Sequence, residues 1–145
     1  MRVIVQRSLN AKCTVDNRIT GEIDKGYMLL VGFTHSDNSE IVDKMVKKVL
    51  NLRIFKDEND KMNLNIKQVN GSILSISQFT LYADPKSGNR PSFVNSMNPT
   101  DALKLYEEFN DKLRKEGMKV ETGEFGADMK IDFVNDGPVT IFLEF

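Results

Sequence analysis

The side chains best suited to chemistry fall in two short stretches. The first is Ser77-Gln78-Phe79-Thr80-Leu81-Tyr82-Ala83-Asp84, where the hydroxyls of Ser75, Ser77 and Thr80 stand in an otherwise apolar run. The second is Asn135-Asp136-Gly137-Pro138-Val139-Thr140, where a strand pattern meets a proline that cannot donate to a ladder. Breaches of local rules tend to fall at functional places. Hydroxyls, the Gln78 amide and backbone N–H groups at a strand end can converge on a carbonyl, an arrangement suited to acyl hydrolysis. Taken alone, the residues also have a plainer reading: Ser77 and Thr80 as strand hydroxyls satisfied by neighbours, and Gly137-Pro138 as an Asp-Gly turn followed by an edge-strand proline in trans.

Other hydrolytic equipment is scarce. There is no G-x-S-x-G elbow, and a Ser-His-Asp triad would have to recruit His35, the single histidine. His35 precedes Ser36-Asp37 at an expected strand-to-helix junction, where a structural role fits better. Cys13 is the single cysteine, so no disulfide forms within one chain and a Cys/His zinc site lacks ligands. Asp57-Glu58-Asn59-Asp60-Lys61 invites a calcium reading, but Lys61 and Met62 stand where such a loop needs an oxygen ligand and a glycine. No metal or other cofactor is expected.

The elements that must position these residues follow from periodicity. Met1 to Ser8 alternates as a strand, with Ala11 to Val15 pairing back after a turn at Asn10, and Asp16-Asn17 turning the chain again. Tyr27 to Phe33 is apolar on both faces, as the middle strand of a sheet should be. A helix opens at Asp37, with Glu40 completing a capping box, and carries Ile41, Val42, Met45, Val46, Val49 and Leu50 on one side. A second starts at Asn98-Pro99, carries Ala102, Leu103, Tyr106, Phe109 and Leu113, and stops at Gly117. Ser72 to Tyr82 reads as one long buried strand. Lys119–Glu124, Lys130–Val134 and Val139–Phe145 read as three short ones. The expected fold is α+β: curled mixed or antiparallel sheets forming a barrel-like core packed by two main helices.

The 145 residues suit one domain, residues 1–145, with a real core. Lys and Arg number 20 against 21 Asp and Glu, a formal net charge of −1, so no global field draws the chain along a phosphate backbone. Nucleic acid would have to be gripped locally, cation by cation. The longest apolar run is far short of the about 20 residues that span a bilayer, so membrane attachment has no support, and a lone cysteine suits a cytoplasmic setting.

The two stretches together, in order and at matching spacing, resemble the signature motifs of the D-aminoacyl-tRNA deacylases. Further matches are MRVIVQRS, NLRIF, KMN, GNRPSF and ETGEFGADM, so the likeness runs along essentially the whole chain. The resemblance implies a homodimer that hydrolyses the ester between a D-amino acid and the terminal ribose at the 3′ end of a tRNA. It implies that Ser77, Gln78, Phe79 and Thr80 line the pocket, with the amides around Phe79 and Thr80 holding the oxyanion. It also implies that a ribose hydroxyl of the tRNA assists water, with covalent attack by Thr80 as the competing mechanism. It further implies that Gly137 and a cis Pro138 present carbonyls across the dimer interface, rejecting L substituents while admitting glycine. Arg7 matches a residue that supports this segment through its main chain, against the alternative of a solvated arginine. Val139 and Thr140 would shape the pocket, and Lys86 and Arg90 would touch phosphate or ribose. Asn89 stands where the family commonly has a cation. Two other readings stay open: a non-catalytic dimer that binds aminoacyl or nucleotide ligands, and an esterase indifferent to handedness.

Overall fold

A computed structural model describes residues 1–86 and 88–145. Its strands are β1 (Arg2–Val15), β2 (Arg18–Gly32), β3 (Phe55–Lys56), β4 (Met62–Leu64), β5 (Ser72–Ser77), β6 (Val120–Thr122) and β7 (Lys130–Glu144), with helices α1 (Ser39–Asn51) and α2 (Pro99–Lys115). The main sheet runs β6-β5-β2-β1-β7, and β3 pairs with β4 separately. β2 is the centre, as its apolar faces require. Tyr27, Leu29 and Val31 enter the helix-side core while Met28 enters a second cluster on the other face.

The fold is α+β with two helices, but the barrel-like closure expected from sequence is absent among the described residues. The sheet is open, with β6 and β7 as its two edges. It is nonetheless bent. Val3, Val5, Tyr27 and Leu29 pack under the helices, whereas Ala11, Cys13 and Ile23, of the same odd parity, join Met28, Leu74 and Ile76 in the second cluster. Between them lie Asn10 at φ 50° and Gly26 at φ 150°. The exchange of faces happens there on both strands.

Asn10 therefore does not turn the chain. Asparagine tolerates the left-handed region, so β1 continues through it as one 14-residue strand. The real turn is Asp16-Asn17, both at positive φ. α1 forms as expected, but its cap is Asn38, whose side chain accepts the N–H groups of Glu40 and Ile41. Asp37 is used elsewhere, taking the Thr34 N–H at 2.8 Å and the Met1 amine at 2.6 Å. α2 starts at Asn98 with Pro99 in its first turn, and Gly117 at φ 88° follows its end. Phe109 and Leu113 are fully buried against the sheet, where truncating the phenylalanine would cost about 3–5 kcal/mol.

Two further departures concern the site. The run Ser72 to Tyr82 is not one strand: β5 stops at Ser77, and Phe79–Tyr82 is a 3₁₀ turn. Lys130 to Glu144 is a single strand, not two. Gln6 pairs with Thr140 and Ser8 with Asn135, so β7 carries three extra residues opposite Arg7. The Gly-Pro step is a bulge inside a strand, a device that re-aims backbone without ending the pairing.

Candidate active site

The end of β5 is built for exposure. The Gln78 N–H donates to the Val31 carbonyl at 2.7 Å, and β2 admits this approach because Gly32 lacks a side chain: a Cβ there would stand 2.7 Å from the Gln78 oxygen. The chain then coils away from the sheet. Its 3₁₀ turn is held from two more sides, by Arg2 Nη1 donating to the Leu81 carbonyl at 2.8 Å and by Ser96 Oγ donating to the Phe79 carbonyl at 3.0 Å. No protein acceptor among the described residues takes the N–H of Phe79 or Thr80. The hydroxyl of Thr80 accepts a hydrogen bond from the Gln78 side-chain amide.

A cavity of about 620 Å³ opens beside this turn. Ser77, Gln78 and Phe79 line it, with Val31 to Phe33 at the end of β2 and Phe93, Ser96 and Met97 from the loop between the 3₁₀ turn and α2. Another part of its wall is Phe125, Gly126, Ala127 and Met129. In the sequence this segment is part of the matching motif ETGEFGADM, with no role assigned to it. The only local signal was an aromatic and a methionine set among glycines, which reads equally as ordinary core. Behind the wall, the Phe125 ring lies 5.9 Å from that of Tyr106, whose hydroxyl donates to the Ser75 carbonyl at 2.7 Å.

The second stretch lies apart from this cavity. Gly137, Pro138, Val139 and Thr140 are not among its lining residues. Arg7, which faces them, pairs with Tyr27, four residues back along β2 from Val31 and so roughly 13 Å away at strand rise. The Gly137–Pro138 peptide bond is cis and both residues are exposed.

Arg7 is buried, not solvated. Its Nη1 donates to the Ile54 carbonyl at 2.7 Å, its Nε donates to the Asp136 carbonyl at 3.2 Å, and Nε lies 3.0 Å from the Asp136 carboxylate. Asn135 Nδ2 closes the bulge on both sides, donating to the carbonyls of Arg7 and Val139 at 3.1 and 3.0 Å. Thr140 is exposed and meets Gln6 Nε2 at 3.3 Å. Val139 packs against the helix-side core.

Lys86 and Arg90 are exposed in the loop between the 3₁₀ turn and α2, while Ser87 lies outside the described residues. His35 Nε2 sits 2.6 Å from the Val94 carbonyl and does not line the cavity. Asp57 Oδ1 accepts the N–H groups of Asn59 and Lys61, an Asx turn that occupies the would-be calcium loop. Among the described residues no group of three or more His, Cys, Asp or Glu converges as a metal site. No helix among them is long and apolar enough to cross a membrane.

A family model for D-Tyr-tRNA(Tyr) deacylase matches residues 4–144. The chain belongs to the D-Tyr-tRNA(Tyr) deacylase family. Deacylation is a hydrolysis, so membership makes it a hydrolase. A D-aminoacyl-tRNA deacylase of Lactobacillus gasseri is 51% identical over 144 residues, covering 99% of each chain. One of Staphylococcus aureus (strain bovine RF122 / ET3-1) is 54% identical, covering 99% of this chain and 95% of that one. A solved structure described as a c-Myc DNA Unwinding Element Binding Protein is similar with a TM-score of 0.94 at 37% identity, covering 100% of this chain and 99% of that one. Another, described as a probable eukaryotic D-amino acid tRNA deacylase, shares the fold with a TM-score of 0.81 at 19% identity, covering 98% and 97%.

Proposed function

We propose that this chain hydrolyses the ester linking a D-amino acid to the 3′-terminal ribose of a tRNA, as a cytoplasmic homodimer that needs no metal. The observation that carries the reading is a pair of N–H groups, on Phe79 and Thr80, that no acceptor among the described residues takes, the first lining a cavity able to hold one small ligand and the second next to it in the chain. In the reaction, water oxygen bonds the ester carbonyl carbon and the carbonyl oxygen takes negative charge. The two N–H groups would stabilise that charge, since donors fixed in the backbone need no reorganisation as it develops. The ester C–O bond then breaks and the ribose oxygen leaves with a proton, giving free amino acid and tRNA. An aminoacyl ester is already activated, so positioning and oxyanion stabilisation suffice, with the neighbouring ribose hydroxyl orienting the water.

Thr80 is a poor candidate for the nucleophile. What its hydroxyl meets is the Gln78 amide, a donor that cannot remove a proton. Ser77 and Gln78 shape the cavity beside it.

Handedness is read by the second stretch, delivered by another copy of the chain. Gly137 and Pro138 are exposed on β7, a 15-residue edge strand, away from the cavity of their own subunit. Long free edges invite pairing. In the dimer, the partner subunit's Gly137 and the partner subunit's Pro138 bring carbonyls against the substrate's α-carbon. There an L side chain collides and an α-hydrogen fits. Glycine carries no side chain to reject, so glycyl-tRNA is also a substrate, and many D side chains are accepted because they point away from the wall. Arg7 fixes the segment from beneath, Val139 and Thr140 support it, and Lys86 and Arg90 approach phosphate or ribose.

The test compares D-tyrosyl-tRNA with L-tyrosyl-tRNA, then D-phenylalanyl-, D-aspartyl- and glycyl-tRNA. The reading expects release from all but the L ester. Binding without release, or cleavage of both enantiomers at equal rate, overturns it.

A further inference from the structure

The rim of the cavity carries apolar surface that the reaction above does not use. Phe79 is 58% exposed, Phe93 40% and Val94 74%. The two rings meet edge to face at 5.1 Å and 62°. Rings this open usually signal a contact, and these are held still. Ser96 binds both backbones at once, its Oγ donating to the Phe79 carbonyl and its N–H donating to the Phe93 carbonyl, each at 3.0 Å. Asp84 and Ser92 exchange N–H···O bonds of 2.8 and 2.9 Å at the base of the same loop. Between them the loop carries the exposed cations Lys86 and Arg90, while Asp84 Oδ1 is engaged by the Lys86 N–H. The result is an exposed aromatic pair, tied together through Ser96, whose loop also carries two exposed cations.

Size decides what fits there. A cavity of about 620 Å³ takes one ligand of small-molecule dimensions, which an aminoacylated terminal nucleoside already fills. The nucleotide before it must lie outside, over the rim. Unpaired bases stack on aromatic faces, and the phosphate between two nucleotides needs a nearby cation.

Resting on the tRNA-ester reading above, we propose that the Phe79 and Phe93 rings are a stacking platform for the unpaired base next to the aminoacylated terminal nucleotide, with Lys86 and Arg90 facing the intervening phosphate. Phe93 is thereby a substrate-positioning residue, and the strand end is gripped by its second nucleotide as well as its first.

The experiment compares two substrates that differ only in that nucleotide and its phosphate: D-tyrosyl-adenosine and the D-tyrosyl ester of the dinucleotide CA. Each is hydrolysed by the wild type and by Phe93→Ala and Phe93→Tyr. The expected result is a KM for the dinucleotide raised roughly 5–100-fold in Phe93→Ala, the range given by loss of one stacked base. Because Phe93 also lines the cavity, any loss on D-tyrosyl-adenosine is shared by both substrates, and the platform is read from the extra rise in KM on the dinucleotide, at least about five-fold beyond that on D-tyrosyl-adenosine, with Phe93→Tyr behaving as wild type. Equal losses on both substrates would mean that Phe93 only builds the cavity or a subunit contact, and no loss on either would mean that the platform is idle; both overturn the proposal. Should the wild type cleave neither D ester, the ester-hydrolysis reading itself falls and the platform with it, a failure distinct from the other two.

Discussion

A Cβ at position 137 would stand 2.8 Å from Nη2 of Arg7, and that guanidinium has no room to yield, since its other nitrogens are committed to the carbonyls of Ile54 and Asp136. Gly137 also sits at φ 120°, a conformation that side chains rarely accept. Gly137→Ala should therefore displace the bulge and cost about 1–3 kcal/mol, read by urea denaturation. The same variant should lose roughly ten-fold or more in kcat/KM on D-tyrosyl-tRNA, which is at least about 1.4 kcal/mol of transition-state stabilisation. Wild-type activity with wild-type stability would show that this backbone is not part of the site.

Arg7 can be tested from its own side. Arg7→Met keeps the length of the stem but strands the Ile54 carbonyl, while the Asp136 group, partly open, recovers water. We expect a loss of about 2–3 kcal/mol. A change below about 0.5 kcal/mol would place Arg7 among ordinary surface charges.

Thr80→Ala separates the two hydrolytic mechanisms. If the backbone N–H groups and the ribose hydroxyl do the work, the variant keeps most of its kcat, because the alanine amide still donates. Abolished turnover with substrate affinity unchanged would instead identify Thr80 Oγ1 as the attacking atom.

The three tyrosines set the alkaline limit. Burial pushes the phenols of Tyr27 and Tyr106 above the ordinary value of 10.0, and burial with the nearby Asp37 carboxylate does the same for Tyr82. The native state then holds phenol protons that the unfolded chain releases. Their contribution is intact below pH 10 and is lost as pH rises from there through the higher native values. Thermal denaturation from pH 8 to 11.5 should show a falling midpoint above pH 10, shallower in Tyr27→Phe. A Tyr27→Phe variant as steep as the wild type would contradict this assignment.

Elements whose pattern is set by burial were legible in the sequence. Tyr27 to Phe33 announced the central strand because both of its faces are apolar, and Asn98-Pro99 and Gly117 delimited α2 by backbone preference alone. Features set by long-range pairing were not. Asn10 reads as a turn residue, yet β2 and β7 on either side carry the strand through it. Phe79, Leu81 and Tyr82 continue an apolar strand pattern, but only Tyr82 is buried, and the approach of Gln78 to Gly32 redirects the chain. The bulge at Gly137-Pro138 splits a strand in sequence and not in space, because Asn135 and Arg7 bridge it.

The site was legible as motifs and not as a cavity. Ser77 to Thr80 stood out by hydroxyls in an apolar run, and Gly137-Pro138 by a broken ladder. The wall formed by Phe125 to Met129 and the Ser96 clamp gave no comparable signal. Their roles come from packing against residues far away in the chain.

The central claim is that one subunit's cavity works with another subunit's Gly137-Pro138 segment, and mixing two crippled variants tests it most directly. One variant carries Gly137→Ala; the other carries Gln78→Trp, which fills the cavity beside the 3₁₀ turn. Each alone should be nearly inactive on D-tyrosyl-tRNA. Co-expressed and purified as the mixed dimer, they leave one intact cavity facing one intact segment, so about half of wild-type activity per dimer should return. A mixed dimer no more active than its parents would contradict the account, because cavity and segment would then have to belong to the same chain.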